Sequence, residues 1–368
     1  MRILLALVLL STALSCDKEV LPCADCLEDK AFAAALPDST PYPLTVPTWM
    51  PKPIIPDDNK LTVKGVALGR MLFYDPVLSR DSTQSCATCH APDKSFADGK
   101  PLSPGIKGKP GPRNSMALVN LAYNTRGFFW DGRVASLEAQ VIHPIIDPVE
   151  MDNTLQEVER RLRRSKIYPA RFREAFGIKA KEEITIDLVA KAIAQFERTL
   201  ISSDSRYDQI IWGQKGFPEE DEARGMALFF IEFAGKTQHP GCSHCHFNPL
   251  FTDNHFRNNG LDKVASLLDF KDPGRRAVTQ NINDSGRFRT PTLRNIAHTS
   301  PYMHDGRFKT LEEVLDHYQQ GGHGVVNEDP NILPFRLSPQ DKADLIAFLK
   351  MLSDPTFLQN KNFSSPFK

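Results

Sequence analysis

The chain has 368 residues, with 45 basic and 45 acidic side chains and 41% apolar residues. That length accommodates two domains of ordinary size, each able to bury its own core. The balanced charge excludes the basic footprint of a nucleic-acid binder and a polybasic membrane surface, so a small or neutral substrate is expected.

The first 16 residues, MRILLALVLLSTALSC, join one Arg to an apolar run from Ile3 to Leu10 and end at Cys16. This is the pattern of a secretory signal peptide, whose apolar run is too short to span a bilayer as a permanent helix. The stretch ALSC resembles a bacterial lipobox, which makes Cys16 the expected lipidated first residue of an exported protein of the periplasm or cell envelope. A lipid is then its only membrane attachment. Residues 17–54 are rich in Pro and charge and read as a tether. Within them Cys23 and Cys26 form a CxxC pair followed by Leu27, which reads as a disulfide in an oxidising compartment.

An N-terminal domain is expected over residues 55–205. It opens with GVALGRMLFY, apolar at helical spacing and stopped at Asp75 and Pro76. SCATCH follows, with Cys86, Cys89 and His90. Two thiols on one helical turn can add to the two vinyl groups of a haem, and the next His then lies under the iron as axial ligand. A loop, KPLSPGIKGKPGPRN, leads to WDGRVASLEAQVIHP, from Trp130 to Pro144. Helices are expected in NTLQEVERRLRRS, YPARFREAF and TIDLVAKAIAQFERTL, the last with a Thr185 cap and a core stripe of Leu188, Val189, Ala192, Ile193 and Phe196.

The C-terminal domain, expected over residues 206–355, repeats the plan. A helix in EEDEARGMALFFIEF leads to GCSHCH, with Cys242, Cys245 and His246, and a longer loop leads to HDGRFKTLEEVLDHY, from His304 to Tyr318. The chain closes with SPQDKADLIAFLKMLSD, where Ser338 and Asp341 form the start of a capping box. No stretch alternates convincingly with period two. The expected fold is therefore mainly α: two cytochrome c-like helical haem domains related by an internal repeat, with long loops supplied by 21 Gly and 28 Pro.

The two repeat units differ at their last position. A covalent haem has one face left over, and a protein ligand there makes an electron-transfer haem, whereas a vacant face can bind peroxide. Tyr318 can coordinate iron and Pro144 cannot, so the C-terminal haem is expected closed and the N-terminal haem open. A packing tyrosine fits the pattern as well, and His317, Met303 and His304 are rival ligands. On the open side, Glu150 is the candidate to carry a proton between the peroxide oxygens and Gln140 the candidate to orient it, although a surface Glu also fits. Trp130 reads either as a core residue or as a relay between the haems.

These motifs resemble the bacterial dihaem cytochrome c peroxidase family, which includes MauG. The similarity covers roughly residues 55 to 352 and is carried in family order by LGRMLFYDPVLSRD, SCATCH, GPRN, FWDGR, SLEAQ, EM, GCSHCH, TPTLRN, PYMHDGR and TLEEV. The resemblance implies that the haem on His90 is peroxidatic, that Gln140 and Glu150 line its distal pocket and that Trp130 lies between the haems. It also implies a calcium ion between the domains, held by the Asn114 side chain and the carbonyls of Thr299 and Pro301. Two departures stand out. Many family peroxidases carry a blocking His in the loop before GPRN, where this chain has Ile106 and no His from Pro101 to Pro112. They also ligate the second haem with Met, whereas MauG uses Tyr, as Tyr318 suggests here.

The leading expectation is a peroxidase that reduces hydrogen peroxide with electrons from a cytochrome c or similar periplasmic donor, with a homodimer permitted. The alternative is a MauG-like enzyme that oxidatively modifies a protein or small molecule. A non-catalytic dihaem electron carrier would need both irons closed.

Overall fold

The computed structural model describes residues 30–231 and 240–367. The signal peptide, Cys16, Cys23 and Cys26 lie outside them. Two helix pairs built alike organise the rest. Helix α1 (Val63–Tyr74), capped by the Thr62 hydroxyl, packs on α5 (Ile186–Arg198), which is capped by Thr185 as its sequence suggests. In the second half α7 (Glu220–Phe230) packs in the same way on α9 (Pro339–Met351), whose start is the Ser338–Asp341 capping box. The closeness of each pair depends on one glycine. A Cβ at Gly69 would stand 1.8 Å from the Ala192 carbonyl oxygen, and a Cβ at Gly225 would stand 1.9 Å from that of Asp344. Only a hydrogen atom fits at those crossings, so the two glycines mark equivalent places in the repeat.

Between these pairs run α2 (Leu137–Ile146), α3 (Leu155–Arg164), α4 (Tyr168–Phe176), α6 (Arg206–Ile211) and α8 (Leu311–Gln320). Helices α2 and α8 are the two DGR repeat helices, capped by Ser136 and Thr310. Two short strands, β1 (Phe256–Arg257) and β2 (Phe288–Arg289), pair antiparallel with Phe256 opposite Arg289. They are too short to leave a period-two signal in the sequence.

Two apolar cores follow. One draws on Leu61 to Leu200, with Val189, Ala192, Ile193 and Phe196 at its centre. The other draws on Tyr207 to Leu352 around Phe229, Phe251 and Phe348. The chain end crosses over, since Phe357 and Phe363 join the first core and Arg70 donates to the Ser364 carbonyl at 2.7 Å.

The stretch 30–54, expected as a loose tether, is instead a strap laid across both halves. Arg173 donates to the Ala35 carbonyl at 2.9 Å, Ile54 donates to that of Ala122 at 2.7 Å, and Trp49 stacks on Trp212 with ring centroids 5.5 Å apart. Its Pro-rich composition hid Phe32, Tyr42 and Leu44, which pack on the first core without helical spacing. Among the described residues no helix is long and apolar enough to cross a membrane.

Candidate functional site

Each CxxCH motif forms one tight turn that aims its His inward. Cys86–Cys89 is a single α-turn whose start is closed by Ser85 and Thr88, and Cys242–His244 is a 3-10 turn. The two imidazoles are held in the same way. His90 Nδ1 lies 2.7 Å from the Phe96 carbonyl oxygen, and His246 Nδ1 lies 3.0 Å from that of Phe251. Both accepting residues adopt left-handed backbone, with φ of 60° and 53°. Burial lowers the pKa of each His, so both rings are neutral and donate from Nδ1. Nε2 then keeps its lone pair, the arrangement a metal-ligating His requires.

The four thiols are not bonded to one another. Burial pushes the Cys86 and Cys89 thiols up, Cys242 to about 12 and Cys245 to about 11.

In the second half a cavity of about 270 Å³ is lined by Cys242, Cys245, His246 and Tyr318, with Met303, Arg289 and Trp130 in its wall. Tyr318 is half-buried, and its hydroxyl accepts from Asn259 Nδ2 at 3.2 Å. Burial raises that hydroxyl to about 12, and a metal cation at the oxygen would act in the opposite direction. The Asn259 amide also reaches Met303 Sδ at 3.5 Å, so one carboxamide holds the phenol and a rival ligand together. The other rivals are engaged elsewhere. His317 Nε2 lies 2.9 Å from the Asn259 carbonyl oxygen, and His304 stacks on Phe288 at 3.7 Å.

Arg289 tests whether this cavity suits a haem. Its side chain is buried, Nη1 donates to Asn254 Oδ1 at 3.0 Å, and Nε has no partner among the described residues. Burial without a carboxylate to offset it lowers the guanidinium to about 10. A buried cation with an idle donor suits a group that brings its own acid, and haem carries two carboxylates. No residue-level signal singled out Arg289. Comparing RFRTPTLRN with GPRN would have placed it opposite Asn114.

In the first half, Glu150 follows the turn that ends α2. Burial and the neighbouring Asp147 charge raise its carboxyl to about 7, with Arg133 opposing. Its charge acts on both Cys86 and Cys89, which sets it beside the first haem-attachment motif. Ile106 donates its backbone N–H to the Glu150 carbonyl at 3.0 Å, so the loop from 101 to 112 packs directly against this turn. Gln140 is half-buried and lies one helical turn before Pro144, on the same side of α2.

Trp130 sits at the seam between the halves. Its indole N–H donates to the Asn114 carbonyl at 2.9 Å, and its own carbonyl accepts from Arg289 N at 2.8 Å. The mirror contact is also present, since Asn114 N donates to the His304 carbonyl at 2.7 Å. Arg113 clamps the seam, pairing with Asp131 at 2.7 Å and with both oxygens of Asp272 at 2.7 and 2.8 Å. The seam lies along the cavity wall, which Asn114, Thr299 and Pro301 share with Trp130. The Asn114 amide nitrogen donates to the Lys100 and Pro101 carbonyls at 2.8 and 3.3 Å, leaving Oδ1 as its acceptor.

Two helical units of one plan, each ending a CxxCH turn in a neutral, Nδ1-anchored His, define a two-haem protein of the c type. A family model described as di-haem cytochrome c peroxidase matches residues 63–216. The methylamine utilization protein MauG of Methylorubrum extorquens is 40% identical over 300 residues, covering 81% of this chain and 80% of that protein. Cytochrome-c peroxidase IdrP1 of Pseudomonas sp. (strain SCT) is 34% identical over 350 residues, covering 88% and 89%. The crystal structure of a MauG-like protein associated with microbial copper homeostasis superposes with a TM-score of 0.82 at 32% identity, covering 89% of this chain and all of that one. The chain belongs to the di-haem cytochrome c peroxidase family. It is an oxidoreductase of the peroxidase type and carries two haems.

Proposed function

We propose that the chain reduces hydrogen peroxide to water at the N-terminal site and draws two electrons from a small cytochrome or similar periplasmic donor through the C-terminal site. The observation that carries this reading is Glu150, a half-buried carboxyl whose pKa is raised to about 7 beside Cys86 and Cys89. A haem bound through those cysteines would supply a redox-active iron able to react with peroxide. Glu150, its carboxyl raised toward neutrality, accepts a proton from one peroxide oxygen and returns it to the other. Gln140 orients the peroxide by hydrogen bonding, and Pro144 offers no ligand atom on that side. In the C-terminal site Cys242, Cys245, His246 and Tyr318 would hold the second haem, and Trp130 relays electrons between the sites.

Asn114 Oδ1 and the carbonyls of Thr299 and Pro301 hold a calcium ion at the seam, where oxygen donors suit a hard cation. The protein is exported and anchored through lipidated Cys16.

Electron paramagnetic resonance of the ferric holoprotein tests the assignment, because it reports the ligands on both irons at once. One high-spin and one low-spin signal are expected, and two low-spin signals would refute an open N-terminal site. The MauG-like reading is supported by one observation, that Tyr318 lines the same cavity as Cys242, Cys245 and His246. Steady-state assay decides between the two. Rapid peroxide turnover with reduced cytochrome c supports the peroxidase, and its absence with oxidation of another donor supports the alternative.

A further inference from the structure

The strap places an indole where the proposed function has no use for one. Trp49 and Trp212 stack with centroids 5.5 Å apart and planes 8° from parallel. Trp212 is 40% exposed and Trp49 half-buried behind it. The Arg294 guanidinium lies 5.7 Å from the Trp49 ring centroid and 5.7 Å from that of Phe251. Phe251 in turn accepts the hydrogen bond from His246 Nδ1. A continuous series of contacts therefore runs from solvent to the C-terminal axial His.

Two features make the series suitable for moving electrons. Indole is among the most easily oxidised side chains, and a parallel stacked pair can share the positive charge left when one electron is withdrawn. A bare guanidinium beside Trp49 would oppose that charge. Arg294, however, is paired with both oxygens of Asp208 at 2.7 and 2.9 Å, which offsets its field. The exposed indole also has apolar company, with Ile211 before it and Phe217, 87% exposed, on the loop that follows. Such a surface suits close approach by a redox protein rather than by a small polar solute.

We propose that the stacked Trp49–Trp212 pair is the electron port of the C-terminal half, used by donors too large to enter its cavity. This rests on the reading of that half as the point of electron entry. Each donor loses one electron through the pair. Two donors are oxidised for each peroxide, which takes up two protons and leaves as two waters.

The test uses the holoprotein with Trp49→Phe/Trp212→Phe, which keeps stacking but not oxidisability, and Trp49→Tyr/Trp212→Tyr, which keeps both. With reduced cytochrome c the Phe variant is expected to lose about tenfold or more in kcat/KM, while the Tyr variant stays within about threefold of the parent. With a small phenylenediamine donor all three proteins should match. A readout independent of turnover is peptide mass spectrometry after peroxide treatment without donor, which should find oxygenated Trp49 or Trp212 in the parent. Equal cytochrome c rates in parent and Phe variant, or equal loss with both donors, would overturn the port and leave the pair a strap anchor. If the parent turns over neither donor, the peroxidase reading fails, and the peptide map alone decides the port: oxygenation at the pair upholds it and none overturns it.

Discussion

Replacing Glu150 by Gln separates catalysis from stability in a way that can be measured. The carboxyl rises from an ordinary 4.5 to about 7, chiefly because burial disfavours its ionised form. At about 1.4 kcal/mol per pH unit, holding the ionised group in place costs the folded chain roughly 3 kcal/mol. The folded chain binds this proton more tightly than the unfolded chain, so stability falls as pH rises from about 4.5 to about 7 and the full cost is present above that range. The amide carries no such cost. Thermal unfolding followed by circular dichroism should therefore show the variant equal to the parent at pH 4 and roughly 5–10 °C more stable at pH 8. Stopped-flow mixing with peroxide should show the opposite effect, a loss of about 10²–10⁴ in rate and of the pH dependence centred near 7. A peroxide rate within about threefold of the parent, or a melting difference independent of pH, would refute both the placement of Glu150 and its role.

Tyr318→Phe should change the ferric spectrum of the C-terminal haem alone, and Tyr318→Met should raise its potential in a redox titration, because an anionic oxygen favours ferric iron more than a thioether does. Ile106→His places an imidazole on the loop that packs against Glu150. The ferric variant should convert its high-spin signal to low spin and react slowly with peroxide until the other haem is reduced. Gly225→Ala drives a methyl to 1.9 Å from the Asp344 carbonyl oxygen, so the α7–α9 crossing must open. A loss of about 3 kcal/mol or more is expected in chemical denaturation. At the seam, chelation by EGTA should slow electron transfer between the haems, measured after rapid reduction, if Asn114, Thr299 and Pro301 hold calcium.

Much of this architecture is written in short sequence signals. The CxxCH turns and the Thr185 and Ser338 caps are local and form as read, whereas the stripe on α5 is exceeded: Leu188 is only partly buried, and Ala190, Ala194, Gln195, Glu197 and Arg198 are buried beside Val189, Ala192, Ile193 and Phe196. The repeat could be followed because its two units keep their spacing, and α2 and α8 begin and run alike. What escaped is set by distant partners. Arg289 is unusual only because no acid reaches it, which no local pattern encodes. Asn259 matters through one amide shared by Tyr318 and Met303, and it lies in a loop without periodicity. The strap has no such signal, because proline-rich composition marks extended chain but not what that chain lies against. The crossing of Phe357 and Phe363 into the first core has no sequence signature either, since an apolar residue does not name the core it will enter.

The reciprocal backbone bonds at the seam, Arg289 N to the Trp130 carbonyl and Asn114 N to the His304 carbonyl, have a consequence for how the chain could have arisen. Each half holds the other by the same atoms, which is the form of an isologous contact between two copies of one subunit. Joined in a single polypeptide, the two copies no longer need identical sequences to keep that contact, because main-chain atoms make it. Side chains on the repeat helices are not bound by that symmetry. One copy could gain a phenol and the other a proline while the join between them stayed the same.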